Sequence, residues 1–230
     1  MNELLFIFGV LFFLGGTVCI YKFFGKIGLY GWTVFGVILA NIQVCKTIDL
    51  FGLSTTAGNV LYASTFLVTD ILSEKYGKKS AQTAVRLGLF TTVIWVIGTQ
   101  LTLLFTPNAN DYINPSLQVV FGMVPRIAIS SIVVYAISQF LDVHLYHFWW
   151  KKTGENSKYL WLRNNGSTLI SQLVDTVLFT TFAFIGTYPW SVFFSIMITT
   201  YVFKAIVALL DTPFIYLVTK ITPMKMSEEE

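Results

Sequence analysis

LLFIFGVLFFLGGTVCIY, residues Leu4–Tyr21, runs for eighteen positions without a charged side chain. As a helix rising about 1.5 Å per residue it reaches about 27 Å, close to the ~30 Å of a bilayer's hydrocarbon. A cleavable leader would carry basic residues before such a run and a small-x-small site after it. Met1-Asn2-Glu3 precedes this one and Lys22-Phe23-Phe24 follows it, so the stretch reads as a first membrane span. That reading makes lipid the solvent for the rest of the chain.

The composition agrees. Of 230 residues, 55% are hydrophobic and 12% charged, and the mean hydropathy is +0.69. A soluble domain of this size carries about 25% charge. With 21 Phe, 11 Tyr and 6 Trp, the chain is well supplied for lipid-facing helices and interfacial belts. The net charge of +3 is small and scattered, so no nucleic-acid partner is expected. Cys19 and Cys45 lie in apolar segments and read as buried free thiols; without a CxxC or Cys/His cluster, no metal site is expected.

Outward from Leu4–Tyr21, the chain divides into seven apolar segments: 4–23, 29–48, 55–74, 80–105, 116–147, 162–187 and 190–220. The third opens on the polar run Ser54-Thr55-Thr56-Ala57-Gly58-Asn59, so a broken or re-entrant helix, leaving six crossings, is the alternative. The fifth is too long for a straight crossing and should tilt or protrude. The predicted fold class is therefore an all-α integral membrane protein, one transmembrane domain over 1–230, with a disordered cytoplasmic tail from 223.

Loop charges test the count. Lys22 and Lys26 mark the first connection, and Lys46 alone the second. Lys75, Lys78, Lys79 and Arg86 flank the third; the fourth, around Pro107–Asp111, has no base. Lys151, Lys152, Lys158 and Arg163 mark the fifth, the sixth has none, and Lys220 and Lys225 end the chain. Basic and non-basic connections alternate, as the positive-inside rule requires of seven spans. The N-terminus is thus expected outside and the C-terminus in the cytoplasm.

Seven ionisable residues are then left inside spans: Asp70, Glu74, Arg126, Asp142, Asp175, Lys204 and Asp211. A charge at the bilayer centre costs at least ~2.5–3.5 kcal/mol, so each needs a partner or a wet cavity. Asp175 and Lys204 fall at similar depth on neighbouring antiparallel helices. They form either an ion pair that fixes packing or part of a ligand site. Asn164, Asn165, Ser167, Thr168, Ser171, Gln172, Asp175 and Thr176 form one polar run, and 168, 171/172 and 175 share a helical face. In lipid, such a face must line something polar. Asp70 and Glu74 lie one turn apart, so one holds a proton or meets a cation.

Four stretches carry a resemblance. They are Thr69-Asp70-Ile71-Leu72-Ser73-Glu74-Lys75-Tyr76-Gly77; Arg126–Ser131 with Ser138-Gln139-Phe140-Leu141-Asp142; Leu160–Asn165 continuing through Ser167-Thr168 and Ser171-Gln172-Leu173-Val174-Asp175-Thr176; and Lys204 with Asp211-Thr212-Pro213 and Tyr216. In order and spacing these resemble the queuosine precursor transporter family, a branch of the vitamin-uptake-transporter-like membrane proteins of bacteria. The resemblance implies import of 7-deazaguanine bases, the 7-cyano or 7-aminomethyl precursors of queuosine, across the bacterial cytoplasmic membrane. It also implies fold kinship with the substrate-binding components of energy-coupling-factor transporters. A subunit needing such an energising complex, carrying another small heterocycle, is the alternative. No cofactor is implied, and a homodimer is compatible.

The residues present suit such a cargo. A deazaguanine shows two adjacent N–H donors beside a carbonyl, on a planar ring. Asp175 or Glu74 can accept both N–H groups, and Gln172, Asn59, Asn41 or Asn165 can supply amides. Thr168 adds a hydroxyl on the Asp175 face, and Phe179, one turn beyond Asp175, can stack on the ring. Arg126 and Lys204 can donate to the carbonyl, while Asp70, Asp211 and Asp142 are the candidates for proton or ion coupling. His144 and His147 lead into Phe148-Trp149-Trp150-Lys151-Lys152, an interfacial belt rather than a metal cluster. No nucleophile elbow or Ser/His arrangement is present, so an enzyme is not expected.

Overall fold

The computed structural model describes residues 1–43, 46–122, 125–154, 157–186 and 189–224, without the side chains at 47, 53–56, 62–63, 125–128, 157, 183–184 and 192. Gly25 makes the first turn. Helix α1, Asn2–Gln43, contains one non-helical residue, Gly25, at φ 54° and ψ −134°, where a side chain would be strained. The chain doubles back there. Phe13 and Trp32 stack edge-on at 6.5 Å, and a Cβ on Gly16 would meet Trp32 Cη2 at 2.6 Å. A straight helix would hold residues 13 and 32 about 28 Å apart. The limbs 2–24 and 26–43 fall on the first two apolar segments and fold as a helical hairpin.

The polar run after the second limb does not continue as helix. Strands β1 (Thr47–Leu50) and β2 (Leu53–Thr56) pair antiparallel, Thr47 opposite Thr56 and Leu50 opposite Leu53. The turn residues Phe51 and Gly52 both have positive φ, 52° and 77°, the requirement of a tight two-residue hairpin. Its tip is tied to the chain's start: Phe51 N–H donates to Glu3 Oε1 and Asn2 Nδ2 to Asp49 O. This short hairpin is an addition to a bundle that is otherwise helical. Helix α2, Asn59–Tyr76, then runs unbroken for 18 residues, starting level with Gly9, whose Cβ position lies 2.7 Å from Val60.

Helix α3, Lys78–Leu104, follows a turn at Gly77. The described residues of the long fifth segment are helical on both sides of 123–124: α4, Asn114–Gly122, and α5, Pro125–Thr153. A single 3-10 turn, Ser157–Tyr159, leads to α6, Leu160–Phe184; α7, Trp190–Thr219, closes the bundle with Pro213 inside it.

Among the described residues, four helices are long and apolar enough to cross a membrane: Asn2–Gln43, Lys78–Leu104, Ile129–Thr153 and Phe193–Thr219. The outside of the bundle is apolar, with Leu4, Phe8, Phe90, Ile94, Leu101 and Ile198 all exposed. The inside is mixed: Leu14, Leu29, Leu67 and Ile71 pack beside wholly buried Asp70, Asp142, Asn164 and Asp211. Water-soluble proteins sort the other way. Lysines gather at the end that holds Gly25, Gly77 and Gly154, where Lys75 Nζ reaches Thr219 O and Met224 N–H donates to Lys22 O. Pro223 and Met224, expected in a loose tail, therefore lie against the bundle; 225–230 lie outside the described residues. Cys19 is exposed on the first limb rather than buried, and Cys45 is not among the described residues.

Candidate functional site

Helix α6 supplies the polar stripe, and its neighbours supply the charges. Asn164, Thr168 and Ser171 recur at i, i+4 and i+7, so they share one face. Each reaches a carboxyl on a different helix. Asn164 Nδ2 donates to Asp211 Oδ1 of α7 at 2.5 Å, Thr168 Oγ1 to Asp70 Oδ2 of α2 at 3.4 Å, and Ser171 Oγ lies 2.9 Å from Asp142 Oδ1 of α5. All six residues are buried. Asp142 and Asp211 are the charged neighbours of Asp70, and Asp142 lies against it.

One turn further along α6, Asp175 meets Lys204 of α7 in an ion pair, and Ser138 Oγ of α5 donates to the other carboxylate oxygen at 3.0 Å. Spacing placed these two at one depth on adjacent antiparallel helices, and they meet there. Lys204 also lines a small cavity with Asn59, Phe66, Thr168, Gln172, Val207, Ala208 and Asp211. Its volume is about 10 Å³, the room of a single water. Gln172 Oε1 is buried beside it without a donor, as is Thr176 Oγ1 one turn on.

The expected site residues thus sort into three groups. Asn59, Thr168, Gln172, Lys204 and Asp211 line the cavity, and Asp175 holds its lysine. Asp70 and Asp142 lie with Asp211 in the carboxyl cluster. The rest are placed elsewhere. Asn41 Nδ2 donates to Val37 O on its own helix; Asn165 Nδ2 bonds Thr212 Oγ1 and Trp161 O; Phe179 is half-buried and is not among the cavity residues. The side chain of Arg126 lies outside the described part.

Glu74 is a correction. It accepts both Nη2 contacts of Arg163, at 2.9 and 3.1 Å, and the Tyr146 hydroxyl at 2.6 Å. Arg163 in turn donates to Gly154 O at 2.9 Å and stacks on Trp150 at 4.8 Å. The cation that the Asp70/Glu74 spacing demanded is therefore Arg163. It is wholly buried, although its place beside Lys158 gave it the look of a loop charge. The ring partner that sequence did not single out is Phe66, one more apolar residue in an apolar helix. A phenylalanine there carries no contrast with its neighbours.

What this arrangement offers chemically is a set of hydrogen-bonding groups between α2, α6 and α7. The carboxylate of Asp175, the ammonium of Lys204 and the amide of Gln172 are acceptor, donor and acceptor within one buried region. Phe66 gives it an apolar wall.

The family profile described as "Putative vitamin uptake transporter" matches residues 56–218. That span holds every helix lining the cavity. The "Probable queuosine precursor transporter" of Bacillus subtilis (strain 168) is 44% identical over 203 residues, covering 88% of this chain and 88% of that protein. No solved structure matches.

Proposed function

The chain belongs to the vitamin uptake transporter family, and from that membership we propose that it imports queuosine precursors, 7-cyano-7-deazaguanine or 7-aminomethyl-7-deazaguanine, through the buried site between α2, α6 and α7. The observation that carries the reading is the Asp175–Lys204 pair beside the cavity. A guanine-like edge offers two N–H groups to one carboxylate and a carbonyl to one ammonium. Substrate entering here trades the internal ion pair for the same two charges on its own edge, and Phe66 takes a ring face.

A cavity of about 10 Å³ admits water and not a bicyclic base, so loading needs α7 to part from α2 and α6. Two features favour movement there. Pro213 removes a helical hydrogen bond two residues beyond Asp211, and α2 begins within the bundle rather than at its end. Interrupted helices meeting at a central site are a recurring device of carriers. We read seven crossings, with the lysine-rich end cytoplasmic and the N-terminus outside, in a bundle akin to the substrate-binding components of energy-coupling-factor transporters.

The test is salvage in cells that cannot make the precursors. With this chain, each supplied base should restore queuosine in tRNA at external concentrations that do nothing without it. If neither base does so while the chain is present in the membrane, the substrate assignment is wrong.

A further inference from the structure

Three carboxyls that no base among the described residues pairs with point to a second ligand. Within the bundle Glu74 is matched by Arg163 and Asp175 by Lys204. Asp70, Asp142 and Asp211 are wholly buried and have no cation within ion-pair distance among the described residues. A carboxylate only accepts hydrogen bonds, and the donors here are too few. Asp70 Oδ1, Asp142 Oδ2 and Asp211 Oδ2 have no partner, yet Asp70 and Asp142 lie against each other. Two carboxyl groups touch favourably only with a hydrogen between them.

Two neutral neighbours give the same indication independently. Asn164, wholly buried, sends its Nδ2 to Asp211 Oδ1 while its own Oδ1 has no donor. An ionised Asp211 leaves two bare buried acceptors side by side. A protonated Asp211 can close an acid–amide ring in which Oδ2–H serves Asn164 Oδ1. Ser171 has one hydroxyl hydrogen and three acceptors in reach: Asp142 Oδ1 at 2.9 Å, Ser167 O at 3.0 Å and Thr168 O at 3.1 Å. When that hydrogen goes to a backbone carbonyl, the Asp142 contact survives only if Asp142 is the donor. Among the described residues no three acidic, histidine or cysteine side chains converge as metal ligands do, which favours a proton over a metal cation.

We propose that Asp70, Asp142 and Asp211 form a proton-binding site that couples import to proton entry, linked to the substrate cavity through Thr168 and Asp211, which belong to both. The inference rests on the transport reading and adds its energy source. The nearest described base is Lys204, which lines the cavity with Asp211 and is held by Asp175. Facing Asp142 are Asp70 from α2, Asp211 from α7 and the hydroxyls of α6; on its own helix Tyr146 is bonded to Glu74. The bases of α3 are turned away: Lys79 and Arg86 are exposed, and Lys78 lies toward His147 at the lysine-rich end. One proton would bind from the outer side with the cluster open to the cavity, cross with the neutral base, and leave to the cytoplasm.

Two measurements on the purified full chain decide it. In lipid at neutral pH, infrared spectra should show the carbonyl stretch of a protonated carboxylic acid. The band should weaken in Asp142→Asn and in Asp211→Asn, and vanish as pH is raised. In proteoliposomes with labelled 7-cyano-7-deazaguanine, wild type should accumulate substrate when the outside is made acidic, up to about tenfold per pH unit for one proton. Asp142→Asn, which lies off the cavity, should keep counterflow exchange and lose accumulation entirely.

Absence of the infrared band, accumulation by Asp142→Asn under the pH gradient, or accumulation driven by a sodium gradient alone would each overturn the proposal. If wild type exchanges no substrate in counterflow, the transport reading fails and takes the coupling role with it. Exchange without acid-driven accumulation leaves the transport reading standing and removes only the proton.

Discussion

Asp175 holds Lys204 and accepts from Ser138, so removing its carboxylate does two things at once. It deletes a proposed substrate ligand, and it strands a buried ammonium, at a cost of about 3–5 kcal/mol when one partner of such a pair is lost. Asp175→Ala should therefore abolish uptake and lower the thermal midpoint together. Adding Lys204→Met removes the stranded charge and fills similar volume. The double variant should recover most of the lost midpoint and still fail to take up substrate. Uptake by the double variant would make the pair a packing device. The pair was legible in the sequence because depth follows from residue count in a helix crossing a slab of fixed thickness. Arg163 was not, since a base at a helix end next to lysines looks the same whether its side chain turns outward or in. Only the fold brings Glu74 of α2 to it.

At the scale of elements, two contacts fix how the helices sit, and each has its own signature. Arg163 ties α6 to Glu74 of α2 and to the end of α5 through a two-point fork and a ring face. Lysine has the charge without the fork or the planar stack. Arg163→Lys should thus lower the thermal midpoint nearly as far as Arg163→Ala, a loss of about 3–5 kcal/mol in denaturation of the detergent-purified chain. Helices α3 and α5 meet where Tyr135 lies over Gly88: a Cβ there would be 2.2 Å from the hydroxyl and 2.9 Å from Cζ. Gly88→Ala should cost about 1–3 kcal/mol, and Tyr135→Phe, by removing the nearest atom, should return part of it. The helices were legible because apolar runs bounded by charge leave little choice in a membrane. Their interruptions were less so. The polar run 54–59 signalled an interruption, and the strand pairing that fills it depends on Phe51 and Gly52 both adopting positive φ. Nothing in a phenylalanine announces that.

Across the whole molecule, polarity decreases outward and lysines collect at one end, so the bundle is built to sit in a bilayer around a buried polar centre. That centre is neither dry and saturated nor open. Gln172 Oε1, Thr176 Oγ1, Asn164 Oδ1 and three carboxyl oxygens lack partners, yet the cavity beside them holds about one water. Unmatched acceptors at a narrow junction are what a carrier needs between cargoes: the bare groups favour an arriving donor-rich molecule, and the tight packing prevents leakage without one. The junction must then open and shut in each cycle, and locking it should stop transport without touching the ligands. Asn59 on α2 and Ala208 on α7 both line the cavity. With Cys19 and Cys45 replaced by serine, Asn59→Cys with Ala208→Cys should retain measurable uptake while reduced. A short thiol cross-linker should abolish that uptake, a reducible one should do so reversibly, and either single cysteine should be indifferent to the reagent. Substrate added beforehand should slow the cross-linking, because a base between α2 and α7 holds the two thiols apart. Full uptake by the cross-linked protein would mean that α2 and α7 do not separate, and that the route for the base lies elsewhere in the bundle.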